Sequence, residues 1–180
     1  MSPYRRIAVP TSRLILVAVT LDVQHAEVDG REHFAARLDA DVPPDWPPPL
    51  SDESSMHWVL DYLRAHPSDE GWTKWYFLLS RPGARAIVIG NGGFTGAPSE
   101  DGTVEVGYSI VETHQRQGYA PEAVRGLTAW AFAHANVKRL IAHTLPELRP
   151  SIRVLEKCGF TFVGDGTEAG TIRFELLPPR

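Results

Sequence analysis

The chain has 180 residues, of which 43% are hydrophobic and 22% charged, with a formal net charge of -4. That composition supports one folded domain over residues 1–180 with a substantial core and argues against disorder. The mild acidity lacks the basic footprint of a nucleic-acid-binding surface, and the lone cysteine, Cys158, leaves no intramolecular disulfide to expect. Met1 to Arg13 lacks the apolar stretch of a secretory signal. The longest apolar run, Leu14 to Leu21, is too short to cross a bilayer. These features set the expectation of a cytoplasmic protein with no membrane or nucleic-acid partner.

In chain order, Leu14 to Val23 is rich in aliphatic and β-branched residues and predicts a first strand. Phe34 and Leu38 mark a helix over Arg31 to Leu38. Met56, Val59, Leu60 and Leu63 form one apolar stripe on a second helix over Glu53 to Arg64. Between them, Val42 to Leu50 carries five prolines around Trp46 and predicts a stiff loop. It reads either as a surface connector or as an acceptor-pocket wall with Trp46 as an aromatic contact. Lys74 to Ser80 and Ala84 to Phe94 read as strands. Trp72, Trp75, Tyr76 and Phe77 are expected to divide between core and pocket wall, with core favoured.

Thr103 to Val111 alternates, with Val104, Val106, Tyr108 and Ile110 on one face and Glu105, Gly107, Ser109 and Val111 on the other. Gly107 inside it suggests a bulge or a close backbone approach by a ligand. A helix is expected to start at Pro121 and stop near Asn136, its apolar face formed by Val124, Leu127, Ala131 and Phe132. Arg139 to Leu145 is a further strand. A short helix opened by Pro150 and Ser151 should end at Gly159, with Phe160 packing back on Leu155. Thr161 to Val163 and Thr171 to Leu176 complete the strands. The order predicts an α+β fold around a mixed, mostly antiparallel sheet flanked by about four helices.

Gln115 to Ala120 links a strand to a helix. A helix N-terminus offers free N–H groups and partial positive charge to phosphate. Gly118 and Ala120 keep the approach open, and Arg116 adds a charged donor. By itself this pattern also fits an ordinary strand-to-helix turn.

Three features in order resemble the core of the GNAT N-acetyltransferase superfamily. Val104 to Tyr108 is similar to its fourth strand. Gln115 to Ala120 matches its Q/R-x-x-G-x-G/A loop. Ser151-Ile152-Arg153-Val154-Leu155-Glu156-Lys157-Cys158-Gly159-Phe160 resembles the helix that closes its core. The branch of ribosomal-protein N-terminal acetyltransferases looks nearest. The resemblance implies acetyl-CoA as acyl donor and direct attack by a primary amine, a protein N-terminus or a small molecule, in a ternary complex. It implies that backbone groups of Ser109, Ile110 and Val111 line the pantetheine arm, and that N–H groups of Arg116, Gln117, Gly118, Tyr119 and Ala120 hold the pyrophosphate. A bulge near Val106 to Tyr108 would splay this strand from the next and leave a slot for the thioester, with a backbone N–H there facing the developing oxyanion.

At neutral pH an α-amine is mostly protonated and a lysine amine almost wholly so, which makes a base useful. Glu105 is the candidate, acting through water; its plain alternative is a solvated strand carboxylate. Ser151 is the candidate hydrogen-bond donor to the departing sulfur, its alternative being a helix cap. The family's usual tyrosine has no counterpart after Tyr119, and Leu148 stands where the branch often has asparagine. Seven histidines lack ligand spacing, so no metal is expected. His143 reads as packing or surface and Cys158 as core. A catalytically idle CoA-binding module is the alternative function, and a nucleotide-binding domain is disfavoured because the chain has no G-x-x-x-x-G-K-[S/T] run. A homodimer completing the acceptor site is left open.

Overall fold

The structure, a computed structural model, describes residues 7–179; Met1 to Arg6 of the N-terminal stretch lie outside it. Eight strands form one sheet in the order β1-β2-β3-β4-β5-β6-β8-β7. They are β1 (Ala8–Pro10), β2 (Leu14–Ala18), β3 (Lys74–Leu79), β4 (Ile87–Phe94), β5 (Thr103–Ile110), β6 (Arg139–Thr144), β7 (Thr161–Asp165) and β8 (Ile172–Leu176). Every neighbouring pair is antiparallel except β5 with β6. Five α-helices flank it among the described residues: α1 (Leu21–Asp29), α2 (Arg31–Leu38), α3 (Glu53–Ala65), α4 (Tyr119–Phe132) and α5 (Arg149–Lys157). This is the expected α+β, mostly antiparallel fold with one helix more than expected.

The extra helix is α1. The strand expected to reach Val23 stops at Ala18, and Thr20 opens a helix instead. Sequence periodicity hides α1 because two of its four buried residues, Gln24 and Glu27, are polar. Both join a buried network. Glu27 Oε2 accepts from Tyr76 Oη at 2.6 Å and Gln24 Nε2 at 3.0 Å, and it pairs with Lys74 Nζ. Glu27 Oε1 accepts from Trp46 Nε1 at 3.2 Å. Trp46 therefore belongs to the core beneath α1 and α2, with its ring 5.4 Å from Phe34 and 6.0 Å from Tyr76. It is not the pocket contact that one reading of the Pro-rich loop suggested. The same loop is stitched to β5 instead: Ser109 Oγ donates to Pro49 O at 2.6 Å.

Two cores sit on opposite faces of the sheet. Val17, Val19, Val59, Leu63, Tyr76 and Val88 pack with α1–α3 on one side. Leu14, Leu16, Phe77, Val104, Leu127, Leu140 and Leu155 pack with α4 and α5 on the other. Gly126 lets α4 come close to β2: a Cβ there would lie 2.6 Å from Leu16 Cδ1. Trp75, Tyr76 and Phe77 are all fully buried, and Trp72 packs on Trp130 at 4.7 Å. Helix α5 ends as expected: Phe160 N donates to Leu155 O and Gly159 N to Glu156 O, both at 3.0 Å, with Gly159 at φ 87.

Candidate active site

The sheet parts between β5 and β6. Their parallel ladder runs only through Thr103↔Arg139, Val104↔Leu140 and Glu105↔Ile141. Beyond Glu105 the two strands diverge, while β5 stays paired to β4 in unbroken register from Val106↔Phe94 to Ile110↔Gly90. The expected bulge at Val106 to Tyr108 is therefore absent, and the slot opens by strand divergence. The register breaks fall elsewhere, at Phe77/Leu78 against β4 and at Phe162/Gly164 against β8. Gly107 marks open space rather than a kink, since a Cβ there would meet nothing within 4 Å.

Hydrogen-bond alternation decides which backbone groups face the slot. Val111 N donates to Ile89 O at 2.9 Å, and Thr95 N donates to Glu105 O at 3.3 Å. In an antiparallel pair, alternate residues point their N–H and C=O at the partner. Glu105, Gly107, Ser109 and Val111 thus bond toward β4, while Tyr108 and Ile110 turn their backbone groups into the slot. This corrects the sequence expectation. Of Ser109, Ile110 and Val111, only Ile110 presents its backbone there, and Tyr108 was missed. Ile110 O is already held by Gln115 Nε2 at 2.9 Å, which leaves its N–H. Val111 has no exposed role, being fully buried with its C=O bonded by His114 N at 3.0 Å.

At the mouth of the slot, a 3-10 turn (Glu112–His114) leads into the phosphate loop. Arg116 (φ 60) and Gly118 (φ 83) both adopt the left-handed conformation. Such a turn points successive N–H groups to one concave side, and the first turn of α4 adds donors without intrahelical acceptors. Gly118 caps α4, so the helix starts at Tyr119, two residues before the expected Pro121. Residues Gln115 to Gly118 are exposed, and Tyr119 and Ala120 half-buried. The loop offers the kind of donor set that a diphosphate needs.

Arg13, unsuspected from the sequence, props this loop. Its NH1 donates to Gln117 O at 2.9 Å, its Nε and NH2 each lie 2.8 Å from Glu122 Oε2, and its guanidinium sits 4.4 Å over the Tyr119 ring. Glu122 Oε1 also accepts from Thr11 Oγ1 at 2.6 Å and Arg13 N at 2.7 Å. Burial pushes the Glu122 carboxyl up, but the bonds from Thr11 and Arg13 outweigh it and leave it below its ordinary value. The partners are more than a hundred residues apart, so no local pattern could have shown them.

Glu105 stands at the apex of the slot. Its Oε1 lies 2.8 Å from His143 Nδ1 on β6. Gly107 and Ser109, on the same face of β5, line a groove of about 300 Å³ walled by Pro49, Leu50, Trp58 and Phe94. On the opposite face Tyr108 Oη donates to Ser151 O at 3.1 Å and lies 3.3 Å from Ser151 Oγ. Burial pushes the Tyr108 phenol up to about 12, against the pull of its bond to Ser151. Ser151 does not cap α5; Leu148 holds that position. Cys158, half-buried, has its thiol pushed up by burial and Sγ 3.5 Å from Pro121 O, so it lacks the character of a nucleophile. Among the described residues there is no cluster of three His, Cys, Asp or Glu that could hold a metal, and no helix is long and apolar enough to cross a membrane.

The family model described as an acetyltransferase (GNAT) domain matches residues 13–161. An uncharacterized N-acetyltransferase of Bacillus subtilis, YjdG, is 25% identical over 158 residues, covering 86% of this chain and 89% of the relative. The acetyltransferase of Agrobacterium tumefaciens superposes with a TM-score of 0.66 at 23% identity, covering 99% of each chain. The ribosomal α-N-protein acetyltransferase RimL, solved in complex with coenzyme A, gives 0.66 at 15% identity over 95% of this chain and 98% of its own. These two structural likenesses speak for the fold alone.

Proposed function

The chain belongs to the GNAT acetyltransferase family and is an acetyl-CoA-dependent N-acetyltransferase; on that premise we propose that residues 1–180 act as one unit that acetylates a primary amine, either a protein N-terminus or a small amine, by direct attack. The observation that carries this reading is the parting of β5 and β6 immediately after Glu105, with the phosphate loop at one end of the slot and the groove beside it. Acetyl-CoA supplies a thioester-activated acetyl group. The loop Arg116 to Ala120 and Arg116 itself bind its phosphates, and the backbone groups of Tyr108 and Ile110 N–H align its arm. The Tyr108 N–H is the first β5 donor past the ladder on that side, and it is the donor assigned to the carbonyl oxygen as charge develops. Glu105 takes a proton from the amine, directly or through one water, as nitrogen bonds to the acetyl carbon and the carbon–sulfur bond breaks. Ser151 donates a hydrogen bond to the sulfur. Tyr108, kept protonated by burial, holds the backbone of Ser151 at the start of α5.

The acceptor groove is walled by α3 and the Pro-rich loop, with Ser51 held to Asn91 at 2.7 Å. Thiol release from acetyl-CoA against a panel of peptides with free α-amines and of small amines tests the reading. Glu105→Gln should lower kcat by roughly a hundredfold or more, most strongly at low pH where the amine is most protonated, with little change in CoA affinity. Rates unchanged across pH would remove Glu105 as the base.

A further inference from the structure

His143 lies on β6 two residues past Ile141, the last residue that β6 pairs with β5. Parallel strands keep side chains at i and i+2 on one face, so His143 stands across the opening slot from Glu105, and the Nδ1 to Oε1 contact of 2.8 Å spans it. The His143 side chain is 13% exposed, against 35% for Glu105. The outer edge of the imidazole packs on the turn after β7: a Cβ on Gly166 would come within 2.8 Å of His143 Cδ2. His143 Nε2 is buried and has no hydrogen-bond partner among the described residues.

That orphaned nitrogen fixes the proton. A proton on Nε2 would be a buried donor with no acceptor, whereas a bare Nε2 lone pair is tolerated at less cost. Charged groups of both signs surround the ring. Its register partner on β8 is Arg173, and Arg139 and Glu175 complete the same face, with Arg139 NH1 at 3.5 Å and Arg173 NH2 at 4.0 Å from Glu175 Oε2. Asp165 ends β7 opposite Ile172, and Glu105 is the β5 group on this face. A hydrogen on Nδ1 satisfies the one bond that the geometry offers.

We propose that His143 is the positioning residue of the Glu105 base, donating Nδ1–H to one carboxylate oxygen and leaving the other free to meet the acceptor amine. The inference rests on Glu105 being the base. A strand carboxylate at the edge of an opening slot has several rotamers; one short bond from a ring wedged against Gly166 selects one of them.

The test uses the full chain, acetyl-CoA and peptides with a free α-amine. His143→Leu should lower kcat about tenfold to a hundredfold with the acetyl-CoA KM unchanged, part of the usual share of a general base. His143→Asn, whose amide N–H falls near the Nδ1 position, should recover most of that loss. Glu105→Gln with His143→Leu should be no slower than Glu105→Gln alone. Nitrogen-15 NMR of the histidine ring should show hydrogen on Nδ1 in the unaltered protein, whatever the acceptor. Unaltered kcat in His143→Leu, additive losses in the double variant, or an Nε2–H ring in the unaltered protein would each overturn the role of His143. Full activity in Glu105→Gln would instead overturn the base itself. If His143→Leu fails to fold, His143→Asn and the ring tautomer decide the matter.

Discussion

A single arginine, Arg13, ties the turn between β1 and β2 to the phosphate loop. It holds a carbonyl of the loop, the carboxylate of Glu122 and the face of Tyr119 at once. Arg13→Ala should raise the KM for acetyl-CoA about threefold to tenfold, the scale of one partly exposed hydrogen bond, and leave kcat alone. A fall in kcat with constant KM would place Arg13 in the chemistry instead. Glu122 gives this strut a pH signature. Its folded-state carboxyl lies below the ordinary 4.5. The stability it adds is therefore fully present above about pH 4.5 and is lost as pH falls below that through the folded-state value. The Tm difference between the protein and Glu122→Gln should be constant at neutral pH and shrink in acid. A difference that grows in acid would contradict the assignment.

At the scale of elements, α1 is held by polarity as much as by packing. Lys74 and Glu27 are both almost wholly buried, with side chains 9% and 2% exposed, and Tyr76, Gln24 and Trp46 complete the network. Burial lowers the Lys74 ammonium from its ordinary value while Glu27 pulls it back. Removing Glu27 leaves a buried cation unpaired. Glu27→Ala should cost about 3–5 kcal/mol, read from the urea midpoint, and Glu27→Ala with Lys74→Met should recover part of it. Equal stability of the two variants would mean that the unpaired Lys74 carries no penalty. The helix was invisible to periodicity for the same reason. A stripe test looks for apolar residues, and this stripe is half Gln and Glu. The end of α5 was legible because a Schellman turn is written within six consecutive residues, Leu155 to Phe160.

Across the whole molecule, the slot separates a five-stranded part, β1 to β5, from a three-stranded part, β6, β8 and β7. Only three residue pairs of sheet join them, with α4 and α5 packed over the seam. CoA lying in the slot should therefore protect specific backbone groups. Hydrogen exchange with CoA added should slow the amides of Tyr108 and Ile110, while Val111, already bonded to Ile89, changes little. Protection of Ser109 and Val111 in place of Tyr108 and Ile110 would show that the alternation along β5 has been assigned backwards.

The chain alone determined the features that are local. The phosphate loop, the alternation of β5 and the Gly159 cap each depend on residues within a few positions of one another, and backbone sterics and N–H direction act at that range. The order of elements gave the expected fold class, and the family resemblance that these local motifs carry implied the donor and supported Glu105 as candidate base. The tertiary structure decided whatever depends on register. Glu105 meets His143 because Glu105 pairs with Ile141. Arg13 meets Glu122 because β2 lies beneath α4. Trp46 turns inward because α1 offers it a buried carboxylate. Parallel pairing and helix docking are fixed by the summed burial of both cores, a property of the whole chain that no short window of sequence contains.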